Sequence, residues 1–227
     1  HPEFAFLPRK FKIAVCGTQI DQAATQVHDI GIYLTLNDAG ETGFRILAGG
    51  GLGRTPVIGQ QVFSFVPQVD LLTALEAILR VYNREGRRDN KYKARIKILV
   101  KELGIDAFKA KVMQEYERIL GGPQTLTNEE ISRCRSFFTD PDYEDLHDAP
   151  AELGAALQTN ALFASWHSNN VHPHKKTGYA IVAVSMKETG VAPGDITDRQ
   201  LEYLADLAEQ YSFGEVRVTH HQNVVLA

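Results

Sequence analysis

The sequence is poor in cysteine: Cys16 and Cys134 are the two thiols among 227 residues. Two thiols cannot build a disulfide framework, which points to a reducing, cytoplasmic compartment. Nor can they supply the four thiolates that an iron–sulfur cluster normally uses. Long apolar runs are lacking too, and no stretch approaches the roughly 20 residues that a membrane helix needs. No secretory signal opens the chain, which begins at His1 rather than Met. The original N-terminus is therefore expected to have been removed or to lie outside this piece. Charge of one sign is not in excess, and a net charge of −4 gives no global pull toward nucleic acid. What is present is ordinary for a globular protein, 44% hydrophobic and 23% charged. The length suits one large or two small domains.

Phe11–Cys16 alternates and predicts a strand, as do His28–Leu36 and Gly43–Ala48, joined by the turn-forming Asn37-Asp38-Ala39-Gly40. Apolar stripes predict helices over Val69–Tyr82, Lys91–Leu103 and Ile105–Leu120, the last stopped by Gly121-Gly122-Pro123. Thr127 to Glu130 has capping-box spacing and predicts a short helix to about Phe138. Asp140–Asp148 reads as a linker. Gly178–Met186 predicts a strand. Thr197–Tyr211 predicts a helix capped by Thr197, with Leu201, Leu204, Ala205 and Ala208 toward a core. Glu215–Thr219 and Asn223–Leu226 predict further strand, and the stop inside that apolar run suggests truncation. The class is α+β: a mixed sheet with a helical insert, then a ferredoxin-like β-α-β half-repeat. The expected divisions are 1–122, a linker with a short helix over 123–160, and a truncated half-repeat over 161–227.

Four groups of residues could carry chemistry. In Arg9-Lys10-Phe11-Lys12, residues two apart on a strand share a face, so Lys10 and Lys12 project together while Phe11 packs beneath. Two such ammoniums repel unless an anion lies between them. The plain reading is a solvated strand start; the functional one is a site for an oxyanion or for cofactor carboxylates. The loop Gly49-Gly50-Gly51-Leu52-Gly53-Arg54-Thr55 can bring backbone close to a ligand and form an anion nest, or serve as a plain turn. It lacks the third glycine of a dinucleotide fingerprint and the Gly-Lys-Ser/Thr of a P-loop. The basic stretch Arg84–Lys101 has no interleaved exposed aromatics, so a solvated helix face outranks nucleic acid. Within it, Arg87, Arg88 and Lys91 could help neutralise a polyanion. His167, His172, His174, His220 and His221 lack zinc-site spacing, and no metal ligand is assigned.

Leu7–Lys12 (LPRKFK), His28–Leu34, Phe44–Pro56 and Leu75–Val100 together resemble the siroheme-binding half of assimilatory sulfite and nitrite reductases. The likeness continues through Trp166, His174-Lys175, Gly178-Tyr179 and Thr219–Asn223. The resemblance implies a siroheme next to a 4Fe–4S cluster, with a ferredoxin or flavoprotein as electron donor, for reduction of sulfite to sulfide or of nitrite to ammonia. It implies that Lys10 and Lys12 line the substrate face and that Arg9 and the loop Gly49, Gly50, Gly51, Gly53, Arg54 and Thr55 surround the cofactor. Gln222 and Asn223 would approach it from the second repeat. Nitrite-specific relatives carry Asn at the second lysine position, so Lys12 favours sulfite. The cluster cysteines and the arginines that complete the pocket would lie outside this piece, which alone is expected to be inactive. A non-catalytic tetrapyrrole-binding or interaction module is the alternative. Neither reading calls for a nucleic acid or membrane partner.

Overall fold

The computed structural model describes residues 2–146 and 151–226, so His147 and Asp148 of the expected linker lie outside the described residues. Two compact units emerge, His1–Phe137 and Phe138–Ala227.

The first unit is a four-stranded mixed sheet covered by helices. Its strands are β1 (Ile13–Cys16), β2 (Ile30–Leu36), β3 (Thr42–Ala48) and β4 (Gln60–Pro67), in that spatial order. β1 runs parallel to β2, while β2–β3 and β3–β4 are antiparallel. The Asn37–Gly40 turn closes the β2–β3 hairpin as expected, with Asn37 Oδ1 accepting from the Ala39 and Glu41 amides at 3.0 and 2.8 Å. Helices α1 (Leu71–Glu85), α2 (Ile96–Leu103) and α3 (Ile105–Ile119) follow, then α4 (Asn128–Arg135). Ile30, Ile32, Ile46, Val62 and Val66 from the sheet meet Ile78, Val81 and Tyr82 of α1, Ile96 of α2 and Phe108 and Val112 of α3 in one buried core. Burial of these side chains contributes about 1.5–3 kcal/mol each.

Several expectations change. The first strand begins at Ile13 rather than Phe11, so Lys10 and Lys12 stand on the segment leading into it. Lys91–Lys93 forms a separate 3₁₀ turn, and α2 starts only after the extended Arg95. β4 escaped prediction because a register shift opposite Phe44 to Leu47 buries Val62 and Phe63 consecutively and erases the period of two. Thr127 caps α4 by accepting from the Glu130 amide at 3.1 Å, but Glu130 pairs with Arg133 instead of completing the box.

A charge cluster ties the helices together. Glu115 on α3 is 4% exposed and accepts from Arg118, from Arg84 at 2.8 Å and from Arg80 at 3.2 Å. The hydrogen bonds from Arg118, Arg84 and Arg80 outweigh burial and draw its carboxyl from 4.5 down to about 2. A depressed carboxyl stabilises the fold above its unfolded pKa, and that contribution is lost as pH falls from about 4.5 toward 2. Urea midpoints measured across this interval should fall with pH. Glu115→Gln should start lower at neutral pH and show a flatter acid limb.

The second unit holds α5 (Ala151–Thr159), α6 (Ala161–Asn170), β5 (Val171–Pro173), β6 (Ala180–Val184), α7 (Asp198–Tyr211), β7 (Arg217–Val218) and β8 (Val224–Leu226). The sheet order is β5-β6-β8-β7. Both β6 and β7 are antiparallel to β8, so β6 and β7 run parallel with β8 between them. This split β-α-β through α7 is the ferredoxin-like half-repeat that was expected. Thr197 and Gln200 form a full capping box on α7. Leu204 and Ala208 are buried as predicted, but Leu201 and Ala205 are exposed, because the buried stripe is narrower than the apolar one. Helices α5 and α6 were not predicted; neither buries a residue, and their apolar side chains gather on no single stripe.

Candidate functional site

The LPRKFK run and the residues just before it form an irregular segment, bent at Pro8 and Arg9 and tied to α1. Arg80 holds the Glu3 carboxylate through two bonds of 2.8 and 2.9 Å, and Arg88 donates to the Phe6 carbonyl at 2.8 Å. Tyr82, fully buried on α1, donates to the Ala94 carbonyl at 2.7 Å, with the Arg9 carbonyl a second acceptor at 3.1 Å. Burial pushes its hydroxyl up to about 12, so it stays a proton donor at any working pH. Phe11 is half-buried against the core, while Lys10 and Lys12 on either side of it are exposed. The two lysines thus alternate with an anchored aromatic even though no strand forms there.

Lys12 is fixed on both sides of its main chain. Its carbonyl accepts from the Ile30 amide at 3.1 Å, and its amide donates to Asp29 Oδ2 at 3.0 Å. Asp29 is 1% exposed. Its carboxylate also accepts from Arg95 Nε at 3.0 Å and Nη2 at 2.8 Å, and its carbonyl takes the Gly49 amide at 2.9 Å. One buried residue therefore touches the lysine run, the glycine loop and the segment that opens α2.

The loop itself is a hairpin closed by a Gly51–Val57 bridge. Gly49, Gly50 and Gly51 are buried, and the Gly49 and Gly51 amides are spent on Asp29 and Val57. The nest expected of those two amides is thus used by the fold, and the exposed tip is Leu52 to Pro56, which includes Gly53, Arg54 and Thr55. Lys97 Nζ pins that tip by donating to the Thr55 carbonyl at 2.6 Å and the Leu52 carbonyl at 3.3 Å. Beside it lies a cleft of about 250 Å³ lined by Gly49, Val57, Gln60, Lys97, Val100 and Lys101.

The basic stretch divides by role. Arg87 pairs with Asp89 at 2.7 Å, Arg88 is spent on Phe6 and Asn83, and Lys91 lies over the Tyr92 ring. The residues of this stretch that reach the loop are instead Arg95 and Lys97. Sequence reasoning missed Asp29, Tyr82, Arg95 and Lys97 as a group, although an acid beside a buried strand was a usable signal. Gln222 and Asn223 belong to the second unit. Gln222 is exposed at positive φ, and Asn223 Oδ1 accepts from Lys187 Nζ at 2.7 Å and the Met186 amide at 3.3 Å. A cleft of about 660 Å³ in that unit, between β6 and α7, is lined by none of the candidate cofactor or substrate residues read from sequence.

Two fits can be tested on this donor set. Among the described residues, the side chains of Arg9, Lys10, Lys12 and Arg54 make no hydrogen bond or ion pair, whereas Arg80, Arg84, Arg87, Arg88 and Arg95 are all committed. Uncommitted cations on an anchored frame suit a group bearing several carboxylates, as siroheme does. A four-thiolate cluster does not fit this chain: the buried Cys16 thiol is turned to the Thr18 carbonyl at 3.3 Å, and Cys134 is exposed on α4.

Comparison with known proteins gives a consistent answer. Residues 1–120 match the family described as nitrite and sulphite reductase 4Fe-4S domain, and residues 172–227 match the nitrite/sulfite reductase ferredoxin-like half domain. The chain is 28% identical to sulfite reductase (ferredoxin) 2 of Mycolicibacterium paratuberculosis, over 99% of this chain and 33% of that protein. It is 30% identical to the ferredoxin–nitrite reductase of Synechococcus elongatus, over 99% of this chain and 36% of that one. The solved structure of the Mycobacterium tuberculosis NirA protein aligns with a TM-score of 0.63 at 24% identity, covering 100% of this chain and 34% of that chain, a likeness of fold. The chain spans about a third of the length of these curated relatives. With one family model matching more than half of its residues, the chain belongs to the nitrite and sulphite reductase 4Fe-4S domain family.

Proposed function

We propose that this chain is one part of a siroheme-dependent sulfite reductase and supplies the lysine and glycine-loop side of its cofactor and substrate site. The observation that carries the reading is the pair of exposed, uncommitted lysines on a segment whose backbone is fixed by Tyr82 and Asp29. Bound siroheme, with its neighbouring 4Fe–4S cluster, would supply the electrons for multi-electron reduction of the oxyanion. Lys10 and Lys12 Nζ would hold the anion by charge and release protons toward its oxygens. Arg9 and Arg54, with Gly53 and Thr55 at the loop tip, would meet cofactor carboxylates. Gln222 and Asn223 would add contacts from the second repeat. The divisions 1–122, 123–160 and 161–227 are proposed as siroheme-binding repeat, linker and half-repeat.

The electron donor in this reading is a ferredoxin or a flavoprotein. The ferredoxin-dependent relatives support the first, while the sulfite reductase hemoprotein beta-component of Methylorubrum extorquens, 33% identical over 54% of this chain and 21% of that protein, is named for NADPH instead. Among the described residues no helix is long and apolar enough to cross a membrane, which suits a cytoplasmic setting. Nitrite reduction is the second reading, supported by nitrite reductase relatives at similar identity. Lys12 favours sulfite, because a second ammonium neutralises a dianion better than a neutral amide does. The test is Lys12→Asn in the full-length protein, assayed with both anions and a reduced viologen donor. The ratio of kcat/KM for sulfite to that for nitrite should fall at least about tenfold, the equivalent of one lost charge contact. An unchanged ratio would remove Lys12 as the determinant.

A further inference from the structure

The geometry points to Asp29 and Arg95 as a positioning pair that acts on the reaction through Lys12. This inference rests on the sulfite-site reading of Lys12. A surface lysine normally carries its ammonium on a flexible stem, and much of its value to a site is lost if the Cα also moves. Here both main-chain polar groups of Lys12 are bound within one dipeptide, the amide to the Asp29 carboxylate and the carbonyl to the Ile30 amide. The carboxylate keeps its place because Arg95 grips both oxygens, in the planar two-bond geometry that fixes direction as well as distance. Asp29 is 2% exposed and Arg95 30% at the side chain, so the pair is largely shielded from water.

The same pair sets the loop. The Asp29 carbonyl takes the Gly49 amide. A Cβ on Gly51 would stand 3.0 Å from Arg95 Nη2, so the guanidinium lies directly against the loop backbone. Lysine run and glycine loop are therefore spaced by one buried ion pair. The pair also cancels its own charge, which leaves Arg9, Lys10, Lys12 and Arg54 as the uncommitted cations of the candidate site. Neither Asp29 nor Arg95 needs to touch substrate for this. An ångström of displacement at a proton donor can cost about a hundredfold in rate.

The test is a double-mutant cycle in the full-length protein, with Asp29→Asn, Lys12→Ala and both together, reading sulfite turnover and melting temperature. An asparagine keeps one acceptor oxygen where Arg95 and the Lys12 amide use two, so at least one of the three bonds fails, and two fail where its NH2 takes the Oδ2 place. Asp29→Asn should lower kcat about tenfold or more with siroheme absorption retained. In the Lys12→Ala background it should cost no further turnover, while it lowers the melting temperature equally in both backgrounds. Arg95→Lys keeps the charge with a single bond; it should give an intermediate loss and decides the matter where Asp29→Asn does not fold. Additive losses of turnover would overturn the positioning role alone. No loss in Lys12→Ala would overturn the site reading beneath it.

Discussion

Lys12→Ala, and separately Lys10→Ala, is expected to lower sulfite turnover by about 10²–10³-fold, the usual cost of removing one preorganised donor from developing charge. The scale follows from placement. Each side chain is exposed and uncommitted, so truncation breaks no internal contact and the fold should persist with an unchanged melting temperature. Siroheme content should also persist, because the proposed cofactor contacts at Arg9, Arg54 and the loop remain. Loss of turnover with stability and absorption intact is the signature of a group that acts on substrate. Parallel loss of cofactor would move the lysines from substrate to cofactor binding. The double variant should fall by less than the product of the two single losses, since the proposed site has both ammoniums on one anion.

Gly50→Ala carries the second large effect. A Cβ at this position would lie 2.4 Å from the His28 carbonyl oxygen and 2.5 Å from that of Gln26. Both obstacles are backbone, immediately before the Asp29 that anchors Lys12, so neither can rotate aside. Relief requires the loop to lift from the 26–28 segment that precedes β2 and the Gly49–Asp29 bond to stretch. Overpacking of this kind costs about 1–3 kcal/mol, and the lifted loop carries Arg54 with it. A lowered melting temperature together with reduced siroheme absorption is the expected result. Gly121→Ala serves as the comparison: its Cβ meets nothing within 4 Å, and the cost there comes from its φ of +72° alone, away from the loop.

Much of this was legible in the residues. The β2–β3 hairpin, α1, α3 and the Thr197-capped α7 follow from turn chemistry, apolar stripes and caps that local sequence contains. β4 was not, because its bulge removes the alternation that marks a strand, and α5 and α6 were not, because they present no buried stripe. For the candidate site, the lysine pair and the glycine loop were visible as motifs. What joins them was not. Asp29 and Arg95 are 66 residues apart in sequence, and no spacing rule connects them before the sheet and α2 have formed. The basic stretch misled for a related reason. Its densest charges, Arg87 and Arg88, are answered locally by Asp89, Asn83 and the Phe6 carbonyl, while the less conspicuous Arg95 and Lys97 turn to the loop.

In the proposed function Lys10 and Lys12 form the anion-holding edge of a tetrapyrrole site. An equilibrium titration of the oxidised full-length protein with sulfite, followed in the visible siroheme bands, addresses it without any electron donor. A saturable spectral change is expected in the wild type, with at least about tenfold weaker binding in Lys10→Ala and Lys12→Ala, the equivalent of one charge-assisted contact. Equal sulfite affinity in all three proteins, or no tetrapyrrole absorption in the full-length wild type, would contradict it.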